Sequence, residues 1–566
     1  MSLFRKKDPF GDGSPAAGKK PKSRARIVLI GLLITLVFGL IYFYFALPAI
    51  NLQNPQFYVF IALLCGVFCL YSLFASGQTL ENGTPHELAG FLKKQCKVPV
   101  LIVLLLIVVF AAGYVVSLPI FRASSYRDLL TVQDGDFATD IAEISFDEIP
   151  LLDEDSAERL GDRKLGELSD MVSQFEVSNN YTQINYQGRP VRVAPLEYGD
   201  FFKWLNNRSE GLPAYVRVDM VTQQAEVVRL SSLGLDGIRF SPSDLFGRKL
   251  DRHLRFLYPT FMFGESTFEI NDEGHPYWVC PKVEKTIGLF GGTDINGAVL
   301  VDAITGEAQY YAREDVPSWI DRVYMADMIM EQYDYHGLYV NGFFNSIFGQ
   351  KDVTVTTSGY NYIALNDDVY MYTGITSAGG DQSNVGFLLS NQRTKETRYY
   401  HAPGAIEESA RDSAEGVVQD LRYTTTFPLL LNVAGEPTYF MSLKDASQLV
   451  KMYAMVNVEQ YQLVATGTTV SECENNYIHL LAEQGVAEPE KLPQTEDSGT
   501  VADIRTAVID GNSYYYIRLQ GNDFYYSISA QACPEAVILN VGDRVEIQVD
   551  ASAEGDIRSA LSLTRR

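Results

Sequence analysis

Cysteine is scarce in this chain of 566 residues, which has six. Cys65, Cys69 and Cys96 fall in or beside a strongly apolar region, leaving Cys280, Cys473 and Cys533 spread over the rest. An odd number over so long a stretch excludes a disulfide framework, and spacing does not choose a pair for a single bridge. Histidine is equally scarce. His86, His253, His275, His336, His401 and His479 are scattered without metal-ligand spacing, and no H-E-x-x-H, C-x-x-C, P-loop or G-x-S-x-G pattern occurs. No catalytic residue, cofactor or metal site is assigned, and the chain is expected not to be an enzyme. Cys280, inside an apolar strand, reads as a core residue. Carboxylate pairs such as Asp153-Glu154 and Asp367-Asp368 lack EF-hand spacing, so calcium is not expected. Cations are also in deficit, with 46 Lys+Arg against 70 Asp+Glu and a net charge of −24. That excess of acid disfavours nucleic acid as a partner, because phosphate binding needs a basic surface.

What the chain does have is three long uncharged apolar stretches, at residues 27–47, 57–75 and 98–118. Each has about the 20 residues needed to cross roughly 30 Å of hydrocarbon. The first is too long for a signal peptide and lacks a cleavage site. The tail, residues 1–26, carries Arg5, Lys6, Lys7, Lys19, Lys20, Lys22, Arg24 and Arg26. The loop before the third stretch carries Lys93, Lys94 and Lys97, and residues 48–56 carry no cation. The positive-inside rule then places the tail and second loop in the cytoplasm and everything after residue 121 outside. The net charge divides accordingly: residues 1–97 carry +7 and the remainder −31. The tail, rich in Gly, Pro, Ser and Lys, is expected to be disordered beside anionic headgroups.

Residues 121–165 are polar and acidic and read as a stalk, with helical periodicity near Ser156–Phe175. Beyond it the chain repeats itself. Ala214–Val228 (AYVRVDMVTQQAEVV), Gly297–Tyr311 (GAVLVDAITGEAQYY) and Gly386–Tyr400 (GFLLSNQRTKETRYY) align without gaps, and a weaker copy runs from Met452 to Thr466. Each reads as strand, polar turn, strand. Asp219, Asp302, Asn391 and Asn457 share one position; Thr222, Thr305 and Thr394 share another. A turn-initiating Asp or Asn bonds the backbone ahead of it, and Gly306 tolerates positive φ, so these are structural turns. An upstream strand precedes each, at residues 190–194, 276–282, 369–375 and 438–443. Helical patterns lie at 316–333, 405–421 and 470–484. Pro317 suits a first helical turn. Gly291-Gly292 and Gly379-Gly380-Asp381 occupy matching places and read as loops between equivalent strands. Copy spacings of 83, 89 and 66 residues suit small α+β domains in series. The expected modules are 166–232, 233–333 and two degenerate ones within 334–486. A polar linker at 487–498 and an all-β module at 499–566 follow.

With VDAITGEAQYY closing a strand pair, the repeat resembles the PepSY domain and its cystatin-like relatives, in which a helix packs on an antiparallel sheet. The V-D-x-x-T-G-E turn stands in full only at Val301–Glu307. The resemblance implies extracytoplasmic binding or regulation, sometimes of peptidases, and brings no catalytic residue. Residues 499–566 read as five strands punctuated by Asp510-Gly511, Gly521-Asn522 and Gly542-Asp543, and resemble an OB-type barrel. Six Lys+Arg against nine Asp+Glu there, and the expected outside location, argue against nucleic acid. Cross-strand packing accounts for Tyr514, Tyr515, Tyr516, Phe524, Tyr525 and Tyr526. The whole chain also resembles a family of multi-pass membrane proteins of Gram-positive bacteria (Firmicutes), a likeness that implies no activity. The expected protein is thus a three-helix membrane anchor bearing a tandem α+β ectodomain and a terminal barrel. Its expected role is non-enzymatic binding or scaffolding in a bacterial cell envelope, with the bilayer and an envelope protein or wall polymer as partners. A regulatory subunit of an envelope peptidase or wall hydrolase is the alternative, and an accessory transporter subunit is a weaker one.

Overall fold

The structure is a computed structural model that describes residues 24–75, 96–141, 149–365, 368–379, 383–484, 486, 494–509, 512–530, 533–550 and 557–566. Most of the expected disordered tail, the loop cations Lys93 and Lys94, residues 487–493 of the linker, and Asp367, Gly380, Asp381, Asp510 and Gly511 lie outside the described residues. The chain divides into two units. One takes the described part of Met1–Phe121 together with Lys249–Met262 and Glu284–Thr293; the other takes Arg122–Arg248, Phe263–Val283 and Asp294–Arg566.

In the first unit the three apolar stretches are helices, α1 (Arg24–Ala46), α2 (Pro55–Ala75) and α3 (Lys97–Val116), each long and apolar enough to cross a membrane. Their outward faces stay uncovered: Leu29, Leu33, Phe45, Leu101 and Val108 are all exposed. Apolar surface of this extent fits helices of a membrane protein. Helix α1 packs on α2, with Tyr42 stacked on Phe60 at 5.5 Å. Two segments distant in sequence join this unit. The helix Leu250–Leu257 places the Nε of Arg252 3.1 Å from the Tyr44 carbonyl and that of Arg255 3.0 Å from the Leu47 carbonyl. These guanidiniums satisfy carbonyls that the end of α1 leaves open. The second segment, residues 284–293, is a hairpin tip. The Ser117 hydroxyl accepts the backbone N–H groups of Leu289 and Phe290 at 3.0 Å each and donates to the Gly113 carbonyl at 2.7 Å. Phe290 lies 4.8 Å from Phe110 and 5.8 Å from Tyr58.

The second unit is β-rich. Four sheets share one connectivity: two short strands both pair with a long strand, followed by two more in antiparallel order. The long strands are Arg189–Tyr198, Pro276–Ile287, Asp368–Ser377 and Glu436–Lys444. They contain all four expected upstream strands. Each sheet has at least five strands where the repeat pattern predicts three, because the added pair of short strands lacks its own periodic signal. One backbone bond recurs in all four sheets: Met220, Ala303, Gln392 and Val458 donate to the carbonyls of Pro190, Pro276, Val369 and Pro437 at 2.9–3.2 Å.

Three expectations are corrected. The acidic segment 121–165 is no separate stalk. Within it, Val132–Gly135 pairs in parallel with Thr397–Tyr400, making the third sheet six-stranded, and the helix Glu154–Gly166 packs on the first sheet. The helix expected over 316–333 begins only at Ala326, because the Val323 and Tyr324 amides bond the Gln392 carbonyl instead. It packs along Thr354–Thr356 and so belongs with the third sheet. Finally, the sheets are not independent domains in series. Met371, Ile375 and Leu388 of the third sheet enter one core with the second sheet, while Tyr372, Phe387 and Leu389 enter another with the fourth. A strand buried on both faces reads as continuously apolar, as V-Y-M-Y-T-G-I does.

The C-terminal region is a closed five-stranded barrel: Gln494–Ile509, Asn512–Leu519, Tyr525–Ser529, Ile557–Arg565 and Arg544–Asp550, in that spatial order. Its first strand begins inside the expected linker, with Gln494–Ser498 pairing Glu546–Asp550. Among the described residues no disulfide links the cysteines, and Cys280, Cys473 and Cys533 are buried.

Candidate functional site

The turn residues singled out by the repeats form one motif. Asp219 Oδ1 accepts the amides of Val221 and Thr222 at 2.9 and 2.8 Å, and Asp302 Oδ1 those of Ile304 and Thr305 at 2.8 and 2.9 Å. Asn391 Oδ1 accepts those of Arg393 and Thr394 at 2.9 Å each, and Asn457 Oδ1 that of Gln460 at 2.8 Å. In the first three turns the Asp or Asn amide bonds the carbonyl five residues on; in the fourth, Asn457 bonds Leu463, one residue further, which explains its weak alignment. Gln223, Gly306 and Lys395 share positive φ values of 59°, 77° and 66°. Only Gly306 needs to be glycine, since a Cβ there would lie 2.3 Å from the Phe240 ring. The two turn carboxylates are already engaged: Asp219 meets Arg189 at 3.6 Å, and Asp302 meets His275 at 3.0 Å. These four turns belong to four different sheets.

The residues that do converge were not marked by any motif. A cavity of about 460 Å³ in the second unit is lined by, among others, Glu154, Tyr181, Arg192, Arg322, Tyr360 and Tyr362. Arg192 projects from the long strand of the first sheet, and its side chain is only 7% exposed. One of its terminal nitrogens lies 3.5 Å from Glu154 and 3.4 Å from the Tyr181 carbonyl, while its Nε, also buried, has no partner. Burial lowers the pKa of Arg192 below its ordinary value, opposed by Glu154. Arg322 lies 4.0 Å over the Tyr362 ring and donates to the Tyr362 hydroxyl at 2.5 Å, and its buried Nε is likewise unpartnered.

Fixed groups hold this pair in place. Glu269, fully buried, accepts the amides of Asp321 and Arg322 at 2.9 and 3.0 Å. Burial pushes its carboxyl up to about 7 against the pull of these bonds and of the Arg322 charge. Asp153 caps the helix Glu154–Gly166 by accepting the Ser156 amide and also meets Lys444. Burial raises the Asp153 carboxyl, but the bonds from Lys444 and Ser156 outweigh it and leave the pKa below its usual value. Burial also raises Glu154, though Arg192 and Arg322 draw it down.

The cavity is therefore lined by two arginines, each with a buried Nε that has no partner, beside tyrosine rings. Its volume lies in the range of small-ligand sites. Arginine forks match carboxylate and phosphate groups. Among the described residues no serine, cysteine or histidine lines it. Among the described residues no three His, Cys, Asp or Glu side chains converge to hold a metal. Sequence reasoning missed Arg192 although a signal existed: a lone cation in the apolar run P-V-R-V-A, where a charge is rarely buried. Arg322 sits in an irregular segment and gave no signal. No protein-family model matches the chain, and no curated protein matches it.

Proposed function

We propose that this chain is a membrane-anchored, non-enzymatic binding protein of a bacterial cell envelope, whose outer region takes an anionic group of its ligand or partner into the Arg192–Arg322 cavity. The carrying observation is the pair of guanidiniums with buried, unsatisfied Nε groups in a cavity of ligand size. Buried charge left without full pairing is costly, and an incoming carboxylate or phosphate offsets that cost. Arg24, Arg26 and Lys97 at one end of the helices, with no cation in residues 48–56 at the other, support an extracytoplasmic outer region. The common connectivity of the four sheets supports tandem PepSY-like modules. The barrel order, with strands three and five parallel, supports an OB-type reading.

The test is titration of the full chain in lipid nanodiscs with mono-, di- and tricarboxylates, inorganic phosphate and anionic wall polymer, read by calorimetry. A saturable anion that R192M and R322M each weaken by about tenfold or more is expected. Equal affinity in the variants, or no saturable binding by any probe, would overturn the proposal.

A further inference from the structure

The helix Leu250–Leu257 (LDRHLRFL) is separated by more than 130 residues from the last membrane helix, yet it belongs to the same unit as the three spans. Its buried side chains are Leu250, Leu254 and Arg255, while Phe256 and Leu257 are 55% and 51% exposed. Two adjacent large apolar residues so exposed on an eight-residue helix need a cover.

The contacts of this helix fix its depth. The Phe256 ring meets Phe43 edge-on at 5.6 Å and Tyr44 at 6.3 Å. Arg252 lies 4.2 Å over the Tyr44 ring. Phe43 and Tyr44 lie within the last turn of α1, which ends at Ala46. At about 1.5 Å per residue, Phe256 therefore sits roughly 3–5 Å inside the end of the span. Phe45, next in sequence and 72% exposed, faces outward at the same level. The following segment is tied down as well: Ile50 donates its amide to Pro259, at 2.8 Å, and Asn51 its side-chain amide to Thr260, at 3.0 Å. The hairpin tip reaches deeper, since Phe110, against which Phe290 packs, lies six residues before the end of α3, about 9 Å.

We propose that Leu250–Leu257 is an in-plane membrane helix, with Phe256 and Leu257 seated in the lipid at the boundary of headgroups and acyl chains beside the last turn of α1. Eight residues cannot span a bilayer, but an amphipathic helix of this kind can lie in the interface. The occupant is lipid, not protein, because the exposed rings continue the lipid-facing surface of α1 at the same depth. Aromatic residues concentrate at this end of the anchor, where Tyr44 meets Phe256, Tyr258 stacks on Phe261 and Tyr58 meets Phe290, as at membrane interfaces generally. The helix is thus a fourth membrane contact made by a segment that hydropathy does not flag.

Site-specific photocrosslinking tests this. A benzophenone amino acid replaces Phe256, Leu257, Asp251 or Phe45 in turn, in the full chain reconstituted into vesicles of phosphatidylethanolamine and phosphatidylglycerol. Asp251 is exposed and charged, and Phe45 is the reference for lipid contact. All four positions are exposed, and the benzophenone at 256 keeps an aromatic ring against Phe43 and Tyr44. Lipid adducts at 256 and 257 that approach the yield at 45 and exceed that at 251 several-fold are expected. Adducts to protein at 256 and 257, equal lipid yields at 251 and 256, or lipid adducts at 45 alone would overturn the proposal.

Discussion

Replacement of Asp302 separates a structural turn from a ligand site. In the structure Oδ1 holds two backbone amides, at 2.8 and 2.9 Å, and Oδ2 holds His275 at 3.0 Å; the side chain is 18% exposed. Hydrogen bonds to a charged acceptor contribute about 1.5–3 kcal/mol each when buried, and less where water reaches the freed donor. The Thr305 amide is exposed and rehydrates, while the Ile304 amide is half-buried. D302A is therefore expected to cost the hairpin about 2–3 kcal/mol, mostly through Ile304. D302N keeps the Oδ1 acceptor and weakens only the contact with His275, so it should cost about 1 kcal/mol or less. The chain carries its own precedent, since Asn391 makes the same two bonds with an amide oxygen. Several packed sheets need not unfold in one step, so the readout is native-state hydrogen exchange over 297–312 rather than a melting temperature. Equal exchange in D302A and D302N would refute the reasoning. So would loss of partner binding in D302N with exchange unchanged, which would make the turn a ligand site.

Other expectations follow from packing and titration. A Cβ at Gly113 would lie 2.6 Å from Leu289 Cδ2 and 2.9 Å from its Cβ, so G113V should destabilise the anchor unit by about 1–3 kcal/mol, read by thermal inactivation in nanodiscs. The depressed pKa of Asp153 in the folded state makes its contribution to stability present above the unfolded value near 4, and lost as pH falls through the folded pKa. D153N should accordingly flatten the acid limb of the stability profile. Glu269 has the opposite sign. With its folded pKa raised to about 7, its contribution is complete below the unfolded value near 4 and is lost as pH rises through about 7. E269Q should remove that decline between about pH 4 and pH 7, and an unchanged slope would show that the carboxylate stays ionised on its two amides.

Much of this architecture was written in local pattern. Uninterrupted apolar runs announced α1, α2 and α3 to within a few residues, because a bilayer demands length and uniformity. The repeat position of Asp219, Asp302, Asn391 and Asn457 disclosed the recurring turn, because its bonds run only a few residues along the chain. Pairing between distant segments left no such trace. Val132–Gly135 reads as polar spacer yet completes a sheet with Thr397–Tyr400, and Val316–Tyr324 has helical spacing yet is diverted to Gln392. The cavity was invisible for the same reason. Arg192 and Arg322 lie 130 positions apart, and neither carries a motif. Leu250–Leu257 is too short and too charged to register as membrane-associated; only its contacts with Tyr44 and Leu47 reveal its place.

The most direct test of the proposed function is crosslinking in living cells from position 360, in the cavity lining, with a benzophenone amino acid replacing Tyr360. The expected result is an adduct with an anionic envelope component that disappears in R192M and R322M while the variants keep wild-type hydrogen exchange. An adduct indifferent to both substitutions, or none with any envelope molecule, would contradict a binding role for the cavity.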